Sequence, residues 1–218
     1  MTDGGHTEEF GPWAPLAPAE AAALLGGAPW PWWIAGGWAI DLFVGRQTRR
    51  HGDLDVQVRR RDQHAAHATL VAQGWELHAA DPPGTLRPWA PGETLGQWVH
   101  DIWCRPAGGA PWGLQLMLLD TEGERWTFRR NPHIGGALRS LGRRSAAGIP
   151  YLAPEVQLLY KAKPHPRPKD EADFRVALPL LDETSRAWLA GALERYNPDH
   201  PWLQPLRCDE SRPSRPEG

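Results

Sequence analysis

The stretch that most constrains this chain is residues 32–58, with the sequence WWIAGGWAIDLFVGRQTRRHGDLDVQV. An apolar run leads into Gly36 and Gly37, and a helix-forming segment then ends at Gly45. We expect a strand, a glycine turn and a helix in that order. Such a turn brings bare backbone N–H groups and a helix N-terminus to one point, which is typical of phosphate binding.

The end of the same stretch alternates polar and apolar residues, which predicts a half-buried strand. Because strand side chains alternate between faces, Asp53 and Asp55 share one face, while Leu54, Val56 and Val58 share the other. Two neighbouring carboxylates repel each other, but they suit a hard divalent cation such as Mg²⁺. The pattern therefore predicts that Asp53 and Asp55 hold a metal.

Taken together, GGWAIDL, Gly45, Thr48-Arg49, His51 and Asp53-x-Asp55 resemble the nucleotidyltransferase superfamily of the DNA polymerase β type. Within it they are most similar to the branch of aminoglycoside 2''-adenylyltransferases and lincosamide nucleotidyltransferases. The later segments PYLAPEVQLLYKAK and RPKDEADF resemble the same branch. The resemblance implies an α+β fold, with a mixed sheet and flanking helices followed by a C-terminal helical bundle.

The resemblance also implies a Mg²⁺-dependent adenylyltransferase with ATP as nucleotide donor. A hydroxyl of a small molecule, with aminoglycosides and lincosamides as candidates, would attack the α-phosphorus, and pyrophosphate would leave. Gly36 and Gly37 would hold the triphosphate. Arg49 or His51 would face the phosphates or orient Asp53, although a solvated basic loop explains these two residues equally well.

Catalysts of this superfamily use a third carboxylate on a neighbouring strand. Here the segment Leu114–Leu118 carries Gln115, which has no charge and cannot act as a base. We prefer Asp101 as the third carboxylate and general base, with Asp120 as the next candidate.

The chain contains three lysines, Lys161, Lys163 and Lys169, and all lie in the segment KAKPHPRPK. Lysine is a compact point charge, whereas arginine is a planar fork, and a triphosphate with Mg²⁺ suits the point charge. We predict that Lys161 or Lys169, ahead of Lys163, binds phosphate. A solvated helix end remains the alternative.

The formal net charge of −2 gives no electrostatic case for nucleic-acid binding. Cys104 and Cys208 match no zinc spacing, and the N-terminus has no basic export signal, so we expect a cytoplasmic location without a membrane span. A polycationic acceptor would need a pocket of carboxylates, for which the candidates are Glu93, Asp101, Asp120, Glu122 and Glu124.

We predict a nucleotidyltransferase domain over residues 1–147, a C-terminal helical domain over 148–206 and a disordered tail over 207–218. GIPY at 148–151 marks the division, and everything after it is expected to be helical. Residues 99–119 are predicted to form a β-hairpin, and Ser185 is predicted to cap the helix that follows it.

Three alternatives remain open at the level of sequence. One is a toxin or antitoxin type of nucleotidyltransferase acting on tRNA or protein, which would favour a basic surface. The second is a nucleotide-binding protein with impaired catalysis, consistent with Gln115. The third, a purely structural protein, leaves the paired aspartates unexplained.

Overall fold

The computed structural model describes residues 10–207, which form eleven strands and seven α-helices. The strands are β1 (Trp32–Ile34), β2 (Asp55–Arg59), β3 (Trp75–Ala79), β4 (Arg87–Pro88), β5 (Asp101–Pro106), β6 (Leu114–Leu119), β7 (Thr121–Glu122), β8 (Arg125–Phe128), β9 (Asn131–Ala137), β10 (Gly142–Arg144) and β11 (Pro150–Leu152). The helices are α1 (Pro18–Leu25), α2 (Gly36–Val44), α3 (Gln63–Ala72), α4 (Pro154–Lys161), α5 (Pro168–Ala177), α6 (Glu183–Tyr196) and α7 (Leu203–Arg207).

Eight strands form one mixed sheet in the order β10-β11-β1-β2-β6-β5-β3-β4. The pairs β1–β11 and β2–β6 are parallel, and the other neighbours are antiparallel. The strands β7, β8 and β9 form a separate antiparallel sheet. The predicted α+β fold, with a mixed sheet, flanking helices and C-terminal helices, is confirmed.

The central strands of the large sheet have two different faces, as their alternating sequences predict. Val56, Leu116 and Ile102 are fully buried on one face of β2, β6 and β5. The opposite face carries Asp55 and Gln115, which are partners in the β2–β6 register. The polar face of the sheet is therefore the one available for chemistry.

The helix after the glycine turn forms and ends as the sequence predicts. It begins at Gly36 rather than Trp38, and Gly45 ends it in the left-handed conformation, with φ +82° and its N–H donated to the carbonyl of Asp41. The next strand is shorter than expected. It begins at Asp55, so Asp53 lies just outside it.

The prediction that everything after residue 148 is helical is wrong for one strand. β11 pairs in parallel with β1, with Ile34 opposite Tyr151, and so belongs to the central sheet. One hydrophobic cluster runs from Ala21 in α1 to Leu206 in α7. The division into domains 1–147 and 148–206 stays a prediction.

Helix α6 is capped differently from the prediction. Asp182 is its N-cap and accepts a hydrogen bond from the backbone N–H of Ser185, which lies inside the first turn. The expected β5–β6 hairpin is present. Residues 208–218 of the predicted tail lie outside the described residues. Within residues 10–207, no helix combines the length and apolar character needed to cross a membrane.

Candidate active site

The turn between β1 and α2 brings backbone and carboxylate into direct contact. Gly36 has φ +66°, a conformation that residues with a Cβ rarely adopt. A Cβ at this position would lie 2.2 Å from Oδ2 of Asp55. Glycine is therefore required both by the backbone conformation and by the approach of Asp55 to the helix N-terminus.

Gly37 meets different neighbours. A Cβ here would lie 2.3 Å from Nη2 of Arg49 and 2.5 Å from the His51 ring. His51 is buried, contacts the carboxylate of Asp41 through Nε2 and stacks near Trp38. The second glycine thus makes room for two side chains of the loop after α2, whereas Gly36 makes room for Asp55.

The N–H of Gly36 has a protein partner that we did not predict from the sequence. It donates to Oε1 of Gln157 at 2.8 Å, and Gln157 is buried on α4. Gln157 and Lys161 lie one turn apart on that helix and both line the same cavity. The helix that carries the lysine is therefore hydrogen-bonded directly to the glycine turn.

Asp55 is a carboxylate whose ionisation is opposed by its surroundings. Its pKa is raised to about 7, first by burial and then by the negative charge of Asp53, while Lys161 and Lys169 act in the opposite direction. Asp53 is exposed, and its charge also raises the pKa of Arg49, although less than Asp173 and Asp41 do. Asp53 and Asp55 are thus electrostatic neighbours, although only Asp55 lies in the strand.

Asp101 and Gln115 form a pair on the polar face of the sheet. Gln115 stands opposite Asp55 in the register of β2 and β6, and its Nε2 donates to Oδ1 of Asp101 at 2.8 Å. The negative charge of Asp101 also raises the pKa of Asp55, though less than burial and Asp53 do. The alternative candidate, Asp120, is bound to Arg60 instead.

The predicted lysines belong to a charged network between helices. Lys161 is buried and its Nζ lies 2.8 Å from Asp173 and 3.4 Å from Asp170. Arg49 binds Asp173 through two hydrogen bonds of 2.8 and 3.0 Å. The network fixes the loop after α2 against α4 and α5. Lys169 lies at the start of α5, close enough for its charge to act on Asp55.

A cavity of about 140 Å³ opens between the glycine turn and these helices. Gly36, Asp55 and Gln157 line one part of it. Apart from Asp55, the charged residues of the lining are all basic: Arg129, Arg130, Lys161, Lys163 and Arg167. Burial, followed by the positive charge of Arg167, lowers the pKa of Lys163. This excess of positive charge beside one carboxylate favours an anionic ligand.

Most of the acidic residues considered for a cationic acceptor are already paired. Glu93 binds Arg87 at 2.6 Å, Asp120 binds Arg60, and Glu124 lies 3.2 Å from Arg61. Glu122 is exposed in β7. Three of the five candidate carboxylates, Glu93, Asp120 and Glu124, are therefore engaged in ion pairs with arginines.

The site offers a metal ion only a small number of carboxylate ligands. Among residues 10–207, no three or more His, Cys, Asp and Glu side chains gather into a group that could hold a metal ion. Mg²⁺ commonly takes only one or two protein carboxylates and completes its shell with water and substrate phosphates. Asp53 and Asp55 could supply these two carboxylates. Nearby lysines only partly relieve the repulsion between them, so a cation would relieve it further.

Three residues that line the cavity, Gln157, Arg129 and Arg130, were not predicted from the sequence as site residues. Gln157 lies in a helix that also carries Glu155 and Lys161, so one more polar residue there gives little signal. Arg129 and Arg130 occupy the two-residue turn between β8 and β9. Such turns favour Gly and Asn, so two arginines in this position were the feature of the sequence that could have singled them out.

The fold of this chain is similar to that of solved antibiotic adenylyltransferases. One is a lincomycin-bound lincosamide antibiotic adenylyltransferase, LnuA, with TM-score 0.51 and 16% identity, covering 78% of this chain and 95% of LnuA. Another is ANT(2'')-Ia in complex with adenylyl-2''-tobramycin, with TM-score 0.52 and 19% identity, covering 82% of this chain and 95% of that protein. The predicted resemblance to this superfamily is confirmed.

A narrower match concerns the part of the chain around the glycine turn. Residues 19–84 match the family described as aminoglycoside-2''-adenylyltransferase. Two 2''-aminoglycoside nucleotidyltransferases, from Escherichia coli and Klebsiella pneumoniae, are each 62% identical over 26 residues. That stretch is 12% of this chain and about 15% of the length of these relatives. These family members and structural neighbours are nucleotidyltransferases.

Proposed function

We propose that the chain is a Mg²⁺-dependent nucleotidyltransferase that transfers AMP from ATP to a hydroxyl of a small molecule. The observation that carries the proposal is the cavity in which Gly36 and Asp55 face five basic side chains. A nucleoside triphosphate supplies the negative charge that this lining lacks. Lys161 and Lys169, together with the glycine turn, bind its phosphates.

Each residue has a role that follows from its position. When bound, Mg²⁺ would neutralise charge on the phosphates and stabilise both the attacking and the leaving oxygens. Asp53 and Asp55 would hold it, while Arg49 and His51 fix the loop that carries Asp53.

The acceptor hydroxyl needs a base on the polar face of the sheet. Asp101 accepts its proton, because Gln115 holds the Asp101 carboxylate through Oδ1 and directs it toward the strand that bears Asp55. A positioned carboxylate of this kind contributes roughly 10²- to 10⁴-fold to a reaction. Gln115 acts by orienting this base and supplies no charge of its own.

The charge distribution favours an acceptor of low charge. The neighbours were solved with lincomycin and with an adenylylated tobramycin. A polycationic aminoglycoside requires free carboxylates, yet Glu93, Asp120 and Glu124 are paired with arginines. We therefore place lincosamide-like molecules ahead of aminoglycosides as acceptors.

The test is incubation of the full chain with ATP, Mg²⁺ and a panel of acceptors that includes lincomycin and tobramycin, with the acceptor mass as readout. We expect an acceptor that gains one AMP, with lincomycin modified faster than tobramycin. Asp55→Asn should abolish the product, because the metal loses its half-buried carboxylate ligand. Asp199→Asn, in an exposed turn, is the matched control and should keep parental activity.

Two results would contradict the proposal. One is absence of any adenylylated acceptor together with absence of pyrophosphate release. The other is full activity of Asp55→Asn. Faster modification of tobramycin would overturn only the assignment of the acceptor class.

A further inference from the structure

The turn between β8 and β9 places two consecutive arginines over the cavity. Phe128 pairs with Asn131, which leaves Arg129 and Arg130 as the whole connection. The β8–β9 ladder shifts register between Thr127 and Phe128, and such bulges re-aim the residues beside them. The turn therefore reaches the cavity from a sheet separate from the one that carries Asp55.

The base of this turn is rigidly attached to the helices. Phe128 is fully buried, and its ring lies 5.1 Å from that of Tyr160 and 5.2 Å from that of Tyr196, both nearly perpendicular to it. Asn131 donates through Nδ2 to the carbonyl of Arg195 at 3.2 Å. The two arginines are thus carried on a fixed support.

The two arginines of the turn have different surroundings. Nη1 of Arg130 donates to the backbone carbonyl of Tyr160 at 3.0 Å, and its guanidinium lies 5.5 Å from the centre of the Phe128 ring. The guanidinium of Arg129 makes no hydrogen bond or ion pair with any other residue between 10 and 207. It lines both the cavity beside Asp55 and the adjoining one beside Gln57 and Asp120.

We propose that Arg129 is a phosphate-binding residue of the nucleotide site, carried on a hairpin turn that Arg130 anchors. This inference rests on the proposed function and adds to it a ligand contact from the small sheet. A planar guanidinium can bind two phosphate oxygens at once, and no carboxylate between residues 10 and 207 forms an ion pair with that of Arg129. The β- and γ-phosphates are the groups it recognises, because they add the charge that AMP lacks.

The test is isothermal titration of ATP, AMP and inorganic tripolyphosphate, with Mg²⁺, into the full chain. Arg129→Ala should weaken ATP and tripolyphosphate roughly ten- to a hundredfold, the range for charge-assisted hydrogen bonds. AMP affinity should change less than about twofold, the range of exposed charge effects. Arg129→Lys should recover part of the loss, because it keeps the charge without the fork.

The matched control is Arg125→Ala, at the other end of the same strand and outside the cavities. This variant also loses one arginine charge, and we expect it to bind ATP as tightly as the parent does. Parental ATP affinity in Arg129→Ala, or an equal loss in Arg125→Ala, would overturn the inference and leave the proposed function intact. A parent chain that binds neither ATP nor tripolyphosphate would overturn both.

Discussion

The most informative single residue is Asp55, because its folded environment opposes its charge. Burial and the negative charge of Asp53 raise the pKa of this carboxylate from its ordinary value of 3.8 to about 7. Burying a negative charge without a partner is unfavourable, so this position is suited to a bound cation. Glycine at position 36 is what allows the carboxylate to come so close to the helix N-terminus.

We expect Asp55 to make the ligand-free protein less stable as the pH rises. Well below pH 4, its carboxyl is largely neutral in both the folded and the unfolded state. Between about pH 4 and 7 the unfolded chain loses this proton first, so the free energy of unfolding falls, and it levels off above pH 7. In metal-free buffer, Asp55→Asn should therefore be more stable than the parent at pH 8, by about 2–4 kcal/mol.

Urea unfolding at pH 8 and pH 4 measures this difference directly. The advantage of Asp55→Asn should be lost at pH 4, and Asp199→Asn should match the parent at both pH values. An Asp55→Asn variant that is no more stable than the parent at pH 8 would show that the carboxylate is well solvated or paired.

At the scale of elements, the site is an assembly of one turn, two strands and one helix. Gly36 contributes a backbone N–H, Asp55 and Gln115 stand side by side on β2 and β6, and Gln157 joins α4 to the turn. The glycines that shape these elements differ in what surrounds them. Gly36 is crowded by Asp55, while the equally left-handed Gly45 faces open space.

This difference gives a matched pair of substitutions. Gly45→Ala should cost about 1–2 kcal/mol of stability from its left-handed backbone alone, and it should keep nucleotide binding. Gly36→Ala adds a Cβ at 2.2 Å from Oδ2 of Asp55, so it should displace the carboxylate and reduce activity at least as strongly as Asp55→Asn. Urea titration and the AMP-transfer assay measure the two effects. Equal activity in both variants would show that the contact with Asp55 is dispensable.

The local elements of the site could be predicted because their signals are local. The glycine turn, the helix to Gly45 and the β5–β6 hairpin each carry their own pattern of glycines or alternation. Gln157 and the pairing of Lys161 with Asp170 and Asp173 could not be predicted in this way. Those contacts depend on how α4 and α5 lie against the turn, which no periodicity in a single segment specifies.

At the scale of the molecule, the sheet and the C-terminal helices share one core. β11 completes the sheet beside β1, and Leu158 and Leu159 of α4 are fully buried in the same cluster as Ile34. The predicted division near residue 148 therefore lies within a continuous hydrophobic interior and falls between β11 and the strands of the sheet that it joins.

A truncated chain tests whether that division also marks an independent folding unit. Residues 1–147 lack β11 and α4, so β1 loses a sheet neighbour and Gly36 loses Gln157. We expect no cooperative urea transition from this fragment, whereas residues 1–206 should unfold in a single transition. A cooperative transition in the fragment would establish 1–147 as a domain in its own right.

The hydrogen bond between Gly36 and Gln157 joins positions 121 residues apart in the chain. Contacts between positions so far apart in the sequence slow folding, because the intervening chain must lose conformational freedom before the contact forms. On the ribosome, the glycine turn is made early, but its hydrogen bond to Gln157 cannot form until α4 has emerged from the exit tunnel. The turn therefore stays without this partner while the intervening chain is synthesised.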